Sequence, residues 1–193
     1  MTLDEQNQKE LMRTDLQRSL KRAPIDPGKL TSFQRILLTT DGTVTDMLEA
    51  YFWERMNVVR LFQDLYQIDR EFAELELELE PGASVLERRI LLQGKVSHRN
   101  RIYAQSFIVP DRLDEKVRDG LLNSHKPIGL LLLEDRLETF REILSVGKEA
   151  AGDLADHFAI APDDYLIYRV YRIIARRLPI MLITEKFPEN EVD

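Results

Sequence analysis

The sequence predicts an α+β fold: a single domain on a mostly antiparallel sheet of about six strands, with helices packed on it. Three observations predict it. Residues 165–174 and 180–187 are β-rich runs separated by the basic turn Ala175-Arg176-Arg177-Leu178, the pattern of a hairpin. Residues 85–92 and 101–109 form a second such pair, joined through a polar loop at Gly94-Lys95 and closed by Pro110. Between these hairpins lie segments of helical spacing, the mixture expected of an α+β domain. At 193 residues with 44% hydrophobic content, the chain suffices for one core large enough to enclose a small ligand.

In chain order, residues 1–22 are polar, with Leu3, Leu11, Leu16 and Leu20 at loose helical spacing. Pro24, Pro27 and Gly28 then break the pattern, so 1–22 is expected to be an appended helical extension and 23–193 the main domain. Asp41-Gly42-Thr43 signals a new start, where Thr43 caps a helix over 44–53 and Asp46 completes a capping box. Met47, Leu48 and Phe52 would face inward. Branched and aromatic residues make 58–62 a strand, and 111–123 returns to helical spacing. In 137–147, Phe140, Leu144 and Val146 fit either period, which leaves that segment open.

The formal charge of -7 arises from acids and bases mixed along the whole chain, which argues against a basic face and against nucleic acid as a partner. With no cysteine, disulfides and thiolate metal sites are ruled out. The longest apolar run, 128–133, is interrupted by Gly129 and falls far short of the ~18–20 residues of a membrane span. Asp4, Glu5, Lys9, Glu10 and Arg13 occupy the place of a secretory signal's apolar stretch, so a cytoplasmic location is expected. His98, His125 and His157 stand in polar, loop-like contexts without ligand spacing, and no metal is expected. Gly42, Gly94 and Gly129 are isolated, so no phosphate-cradling loop is present, and spacing suggests no Ser-His-Asp arrangement. Nothing in the pattern specifies an oligomeric state.

Two charges fall on faces that alternation marks as apolar. Leu86, Arg88, Ile90 and Leu92 share one side of their strand, and Met181, Ile183, Glu185 and Phe187 share one side of the last. A buried unpaired charge costs several kcal/mol, so each needs a partner, either the other residue or a bound anion. From alternation alone the ordinary explanation is a structural ion pair, or strand ends that reach water. Arg169 and Arg172 fall on opposite faces of one strand and Arg176-Arg177 occupies a turn, for which a solvated cluster is the usual reading; one of them remains available to an anionic substrate.

Four segments, in order and spacing, resemble the chorismate pyruvate-lyase family, also called 4-hydroxybenzoate synthase, in a bacterial branch distant from the enterobacterial enzyme. They are 35–45 (Arg-Ile-Leu-Leu-Thr-Thr-Asp-Gly-Thr-Val-Thr), 86–92 (Leu-Glu-Arg-Arg-Ile-Leu-Leu) with 103–110 (Tyr-Ala-Gln-Ser-Phe-Ile-Val-Pro), 126–129 (Lys-Pro-Ile-Gly) and 179–185 (Pro-Ile-Met-Leu-Ile-Thr-Glu). The resemblance covers about residues 30–188 and implies an internal ligand pocket under flap-like segments. It implies that Arg88 binds the ring carboxylate of chorismate and Glu185 contacts the ring hydroxyl, as the catalytic pair. Backbone groups at Val44 and Ile128 would complete the substrate site. It also implies cofactor-independent elimination of pyruvate to give 4-hydroxybenzoate, a quinone precursor. Two other readings stay open: a non-catalytic sensor domain of the same fold that binds chorismate or a benzoate, and an interaction protein whose N-terminal helix docks a partner such as the membrane prenyltransferase that uses 4-hydroxybenzoate.

Overall fold

The computed structural model describes residues 25–68, 76–123 and 126–190. Six strands, β1 (Met56–Gln67), β2 (Ser84–Gly94), β3 (Asn100–Ile108), β4 (Phe140–Ala150), β5 (Tyr165–Ala175) and β6 (Leu178–Pro188), make one sheet. The order is β1-β2-β3-β6-β5-β4, and every neighbouring pair is antiparallel. The sheet is thus two three-stranded meanders, β1 to β3 and β4 to β6, joined where β3 pairs with β6. The helices are α1 (Ser32–Thr39), α2 (Val44–Phe52), α3 (Glu115–Asn123), α4 (Ile128–Glu134) and the single turn α5 (Ala155–Phe158).

Strand alternation decides which residues meet. Arg88 on β2 lies opposite Ser106 on β3, which lies opposite Ile183 on β6, which lies opposite Tyr171 on β5. Two residues along, Ile90, Ala104, Glu185 and Arg169 form the adjacent row. This inner face is covered by helices at both ends. From α1 and α2, Leu37, Leu38 and Leu48 pack on Leu92, Ile102 and Phe187. From α3 and α4, Val117, Leu121 and Leu131 pack on Leu86, Ile108 and Met181. Each fully buried side chain of this size contributes about 1.5–3 kcal/mol of transfer free energy. On the outer face, Ala155 and Phe158 of α5 cover Leu91, Tyr103 and Leu166.

The antiparallel α+β prediction is met; β1, β2 and β6 extend beyond the pattern-based strands at both ends, while β3 and β5 match theirs to within a residue. The open segment 137–147 resolves into β4. A register shift between Ile143 and Ser145 breaks its alternation, which is why neither period fitted cleanly. The final turn is Arg176-Arg177, with φ of 52° and 66°. Two left-handed residues in sequence match the twist of a tight hairpin. Helix α2 begins as predicted at Thr43, but the Thr43 side chain makes no capping bond, so the expected box does not form. Helices α1 and α4 were not foreseen. For α1 a usable signal exists: Thr31 and Gln34 form a reciprocal capping box, and Gln34 also donates to the Glu189 carbonyl at 2.6 Å, tying the helix to the end of β6. The predicted helix over 1–22 lies outside the described residues.

Candidate active site

The two helical covers meet over the middle of the sheet. The turn entering α2 and the turn entering α4 touch so closely that a Cβ on Gly129 would stand 2.9 Å from the Thr43 methyl. Beneath this seam is a cavity of about 60 Å³, roofed by Gly42, Thr43, Val44, Thr45, Pro127, Ile128 and Gly129. Its floor is the inner face: Ile90, Leu92, Ala104, Ser106, Ile183, Glu185, Tyr171, Ile173 and Arg141. A cavity of this volume has room for a few waters. Mostly apolar walls with a few converging polar groups are the usual composition of a small-molecule site.

Val44, Ile128 and Glu185, three of the four sequence-predicted residues, line this space together. Arg88 sits at its edge. The residue is 1% exposed and opposite Ser106, which does line the cavity. Its Nη2 donates to the Lys126 carbonyl at 3.3 Å, just before the Pro127–Gly129 roof. Its Nε and Nη1 are buried and have no hydrogen-bond partner. Burial, and secondarily the like charge of Arg60, lower the guanidinium pKa to about 10. A buried guanidinium with two unused donors has the planar fork that matches the paired oxygens of a carboxylate.

Glu185 and Arg88 do not pair with each other. Arg169, 1% exposed, donates from Nε to Glu185 Oε2 at 2.7 Å, and Tyr171 donates its hydroxyl to Oε1 at 3.1 Å. The expectation that Arg169 belongs to a solvated cluster is therefore corrected: it is the buried partner of Glu185. Its Nη1 also donates to the Thr40 carbonyl at 2.9 Å, which fixes the turn entering α2 to the sheet. Burial acts against the Arg169 charge, but Glu185 and Tyr171 outweigh it and hold its pKa above the usual arginine range. Burial first, then the Glu185 charge, push the Tyr171 hydroxyl well above the usual phenol range, so it remains a donor. The result is a carboxylate held at both oxygens and presented to the cavity.

Sequence reasoning missed Arg141, because β4 lacked a readable period. Arg141 lines the cavity, donates from Nη1 to the Asp41 carbonyl, and keeps a buried Nε without a hydrogen-bond partner. Tyr171 and Ser106 were also not singled out, though both share a face with residues that were. Among the described residues no three His, Cys, Asp or Glu side chains are grouped as metal ligands. His98 is exposed and His157 is half-buried on α5, while His125 lies outside the described residues. Chemically the arrangement suits a small anionic ring: a carboxylate receptor at one edge, apolar walls, and a fixed carboxylate two strands away to accept a hydroxyl's hydrogen bond.

A family model described as chorismate pyruvate-lyase Rv2949c-like matches residues 38–192. The chorismate pyruvate-lyase of Mycobacterium leprae (strain TN) is 35% identical over 188 residues, covering 91% of this chain and 86% of that protein. The enzyme of the same name from Mycobacterium tuberculosis (strain CDC 1551 / Oshkosh) is 30% identical over 161 residues, covering 82% and 81%. Among solved structures, the effector domain of PhnF from Mycobacterium smegmatis aligns with a TM-score of 0.61 at 11% identity, over 78% of this chain and 90% of that one. A GntR-family transcriptional regulator from Bacillus cereus aligns at 0.55 and 11%, over 72% and 94%. At such identities these two share the fold alone.

Proposed function

The chain belongs to the chorismate pyruvate-lyase Rv2949c-like family, and on that premise we propose that it eliminates pyruvate from chorismate in the cavity between the two helical covers, leaving 4-hydroxybenzoate. The observation that carries the site assignment is Arg88, a buried guanidinium with Nε and Nη1 left for an anion. Arg88 takes the ring carboxylate, and Glu185 accepts a hydrogen bond from the ring hydroxyl. Ile90, Ile183 and Ile173 pack on the ring, while backbone groups at Val44 and Ile128 close over it. A substituted ring exceeds a cavity of about 60 Å³, so entry parts the Gly42–Thr45 and Pro127–Gly129 segments. We assign to them the role of the flap-like segments that the family resemblance implies.

The reaction breaks the ether C–O bond and removes the proton from the ring carbon that bears the hydroxyl. The departing enolpyruvate becomes pyruvate, and the ring becomes aromatic, which supplies the driving force. Useful catalysis requires lowering the barrier by at least about 8 kcal/mol and suppressing rearrangement to prephenate. Arg88 and Glu185 grip opposite ends of the ring and fix its orientation, and closure of the roof excludes water. Arg169 and Tyr171 position the Glu185 carboxylate, and Glu185 is placed to receive or polarise the departing proton.

The test is incubation of the purified protein with chorismate, without added metal or nucleotide, following 4-hydroxybenzoate and pyruvate by chromatography. Equal amounts of both, abolished in Arg88→Ala, are the expected result. Binding of 4-hydroxybenzoate without turnover would instead make the chain a sensor domain of this fold. Full turnover with unchanged binding in Glu185→Gln would remove both roles given to that carboxylate.

A further inference from the structure

Chorismate carries two carboxylates, and Arg88 accounts for one. We infer that Arg141 binds the second, on the enolpyruvyl group, and so distinguishes the dianionic substrate from the monoanionic aromatic product. This rests on the lyase reading above. Arg141 is the one cation in the cavity wall among the described residues. Its Nε is buried without a hydrogen-bond partner; Arg169 also keeps a buried Nη2 unpartnered, but it lies outside the cavity lining and its Nε and Nη1 are taken by Glu185 and the Thr40 carbonyl.

Position supports the assignment. Arg88 stands on β2 and Arg141 on β4, at opposite sides of the inner face, with β3, β6 and β5 between them. Arg141 is paired with Ile173, and both line the cavity beside Tyr171 and the Gly42–Thr45 turn. A ring held by Arg88 at its carboxylate and by Glu185 at its hydroxyl projects the substituent on the neighbouring carbon toward one wall. On the β4 wall, Arg141 is the group that can neutralise a carboxylate there. The bond from Arg141 Nη1 to the Asp41 carbonyl steadies the head and leaves Nε for an anion. After the ether bond breaks, the three-carbon product stays against Arg141 while the ring product stays against Arg88, so the two leave separately.

The experiment compares Arg141→Gln, Arg141→Lys and Arg88→Ala with wild type, measuring chorismate turnover and, by calorimetry, binding of 4-hydroxybenzoate. Arg141→Gln is expected to raise KM for chorismate about tenfold or more, as for loss of a charge-assisted hydrogen bond, with the Kd for 4-hydroxybenzoate changed less than about twofold. Arg141→Lys should recover part of the loss, and Arg88→Ala should weaken both ligands. Equal weakening of both by Arg141→Gln, together with a lowered Tm, would make Arg141 only a strap for the 41–42 turn and overturn the inference. An unchanged chorismate KM would overturn it as well. If wild type binds chorismate but does not turn it over, the lyase reading fails, and the same comparison of Kd values for the two ligands still decides the role of Arg141. Binding of neither ligand to wild type would overturn both.

Discussion

Arg88 is held at a cost to the folded chain, because its charge is buried and two of its donors are unused. Arg88→Met is therefore expected to raise Tm by a few degrees, about 2–4 °C for each kcal/mol in a domain of this size, while abolishing ligand binding. Calorimetry of the ligand-free variant checks the first half and a binding isotherm the second. Glu185 and Arg169 behave in the opposite way. Removing one member of a buried pair typically costs about 3–5 kcal/mol, so Arg169→Met alone is expected to be strongly destabilised, and Arg169→Met with Glu185→Leu to recover much of the loss. A double-mutant cycle by urea denaturation tests the coupling. Both Arg88 and Glu185 were legible because strict alternation exposed a charge among apolar neighbours. Arg169 obeys the same alternation, but Arg172, on the opposite face, made a solvated cluster the simpler reading. Alternation assigns a face, and which face is buried depends on helices elsewhere in the chain.

At the level of elements, the roof over the cavity depends on one close approach, that of Gly129 to Thr43. Gly129→Ala would drive its methyl into Thr43 and separate the turns entering α2 and α4. The expected result is a loss of about 10- to 100-fold in kcat/KM from misplacement of about an ångström, with little change in Tm, since the core beneath is untouched. The β2–β3 hairpin depends instead on Glu54, whose carboxylate accepts bonds from the Val96 and Ser97 amides and the Ser97 hydroxyl. The Ser97 hydroxyl first, then the amides, hold its pKa at about 2, below the ordinary 4.5. A depressed carboxyl pKa stabilises the fold above about pH 4.5, and that contribution fades as pH falls toward 2. Glu54→Gln should therefore flatten the acid limb of a Tm–pH profile, with little change in its slope above pH 5. The main strands were legible from branched, alternating residues. Helix α4 was not, because Ile128-Gly129-Leu130-Leu131-Leu132-Leu133 has no polar face to give a period, and β4 was obscured by its own bulge.

For the whole molecule, an antiparallel α+β domain was readable because both hairpins announce themselves locally. How the hairpins join was not readable, since the β3–β6 pairing unites segments about eighty residues apart and leaves no local signature. A ligand that binds only the folded state stabilises it by about 2.7 kcal/mol at a hundredfold excess over Kd. Saturating 4-hydroxybenzoate is expected to raise Tm in wild type and to leave Arg88→Met unmoved, which differential scanning fluorimetry can show.

The β3–β6 seam also bears on how the chain folds. Within each meander the connections run no further than 68–83, whereas the union of β3 with β6 must close over 109–177, so it is expected to come late in folding. Arg88 belongs to the first meander, and Glu185, Arg169, Tyr171 and Arg141 to the second. Neither half alone holds a site. A ring bound as proposed would span the seam as a removable clasp, and the expected kinetic signature is slower unfolding with an unchanged refolding rate.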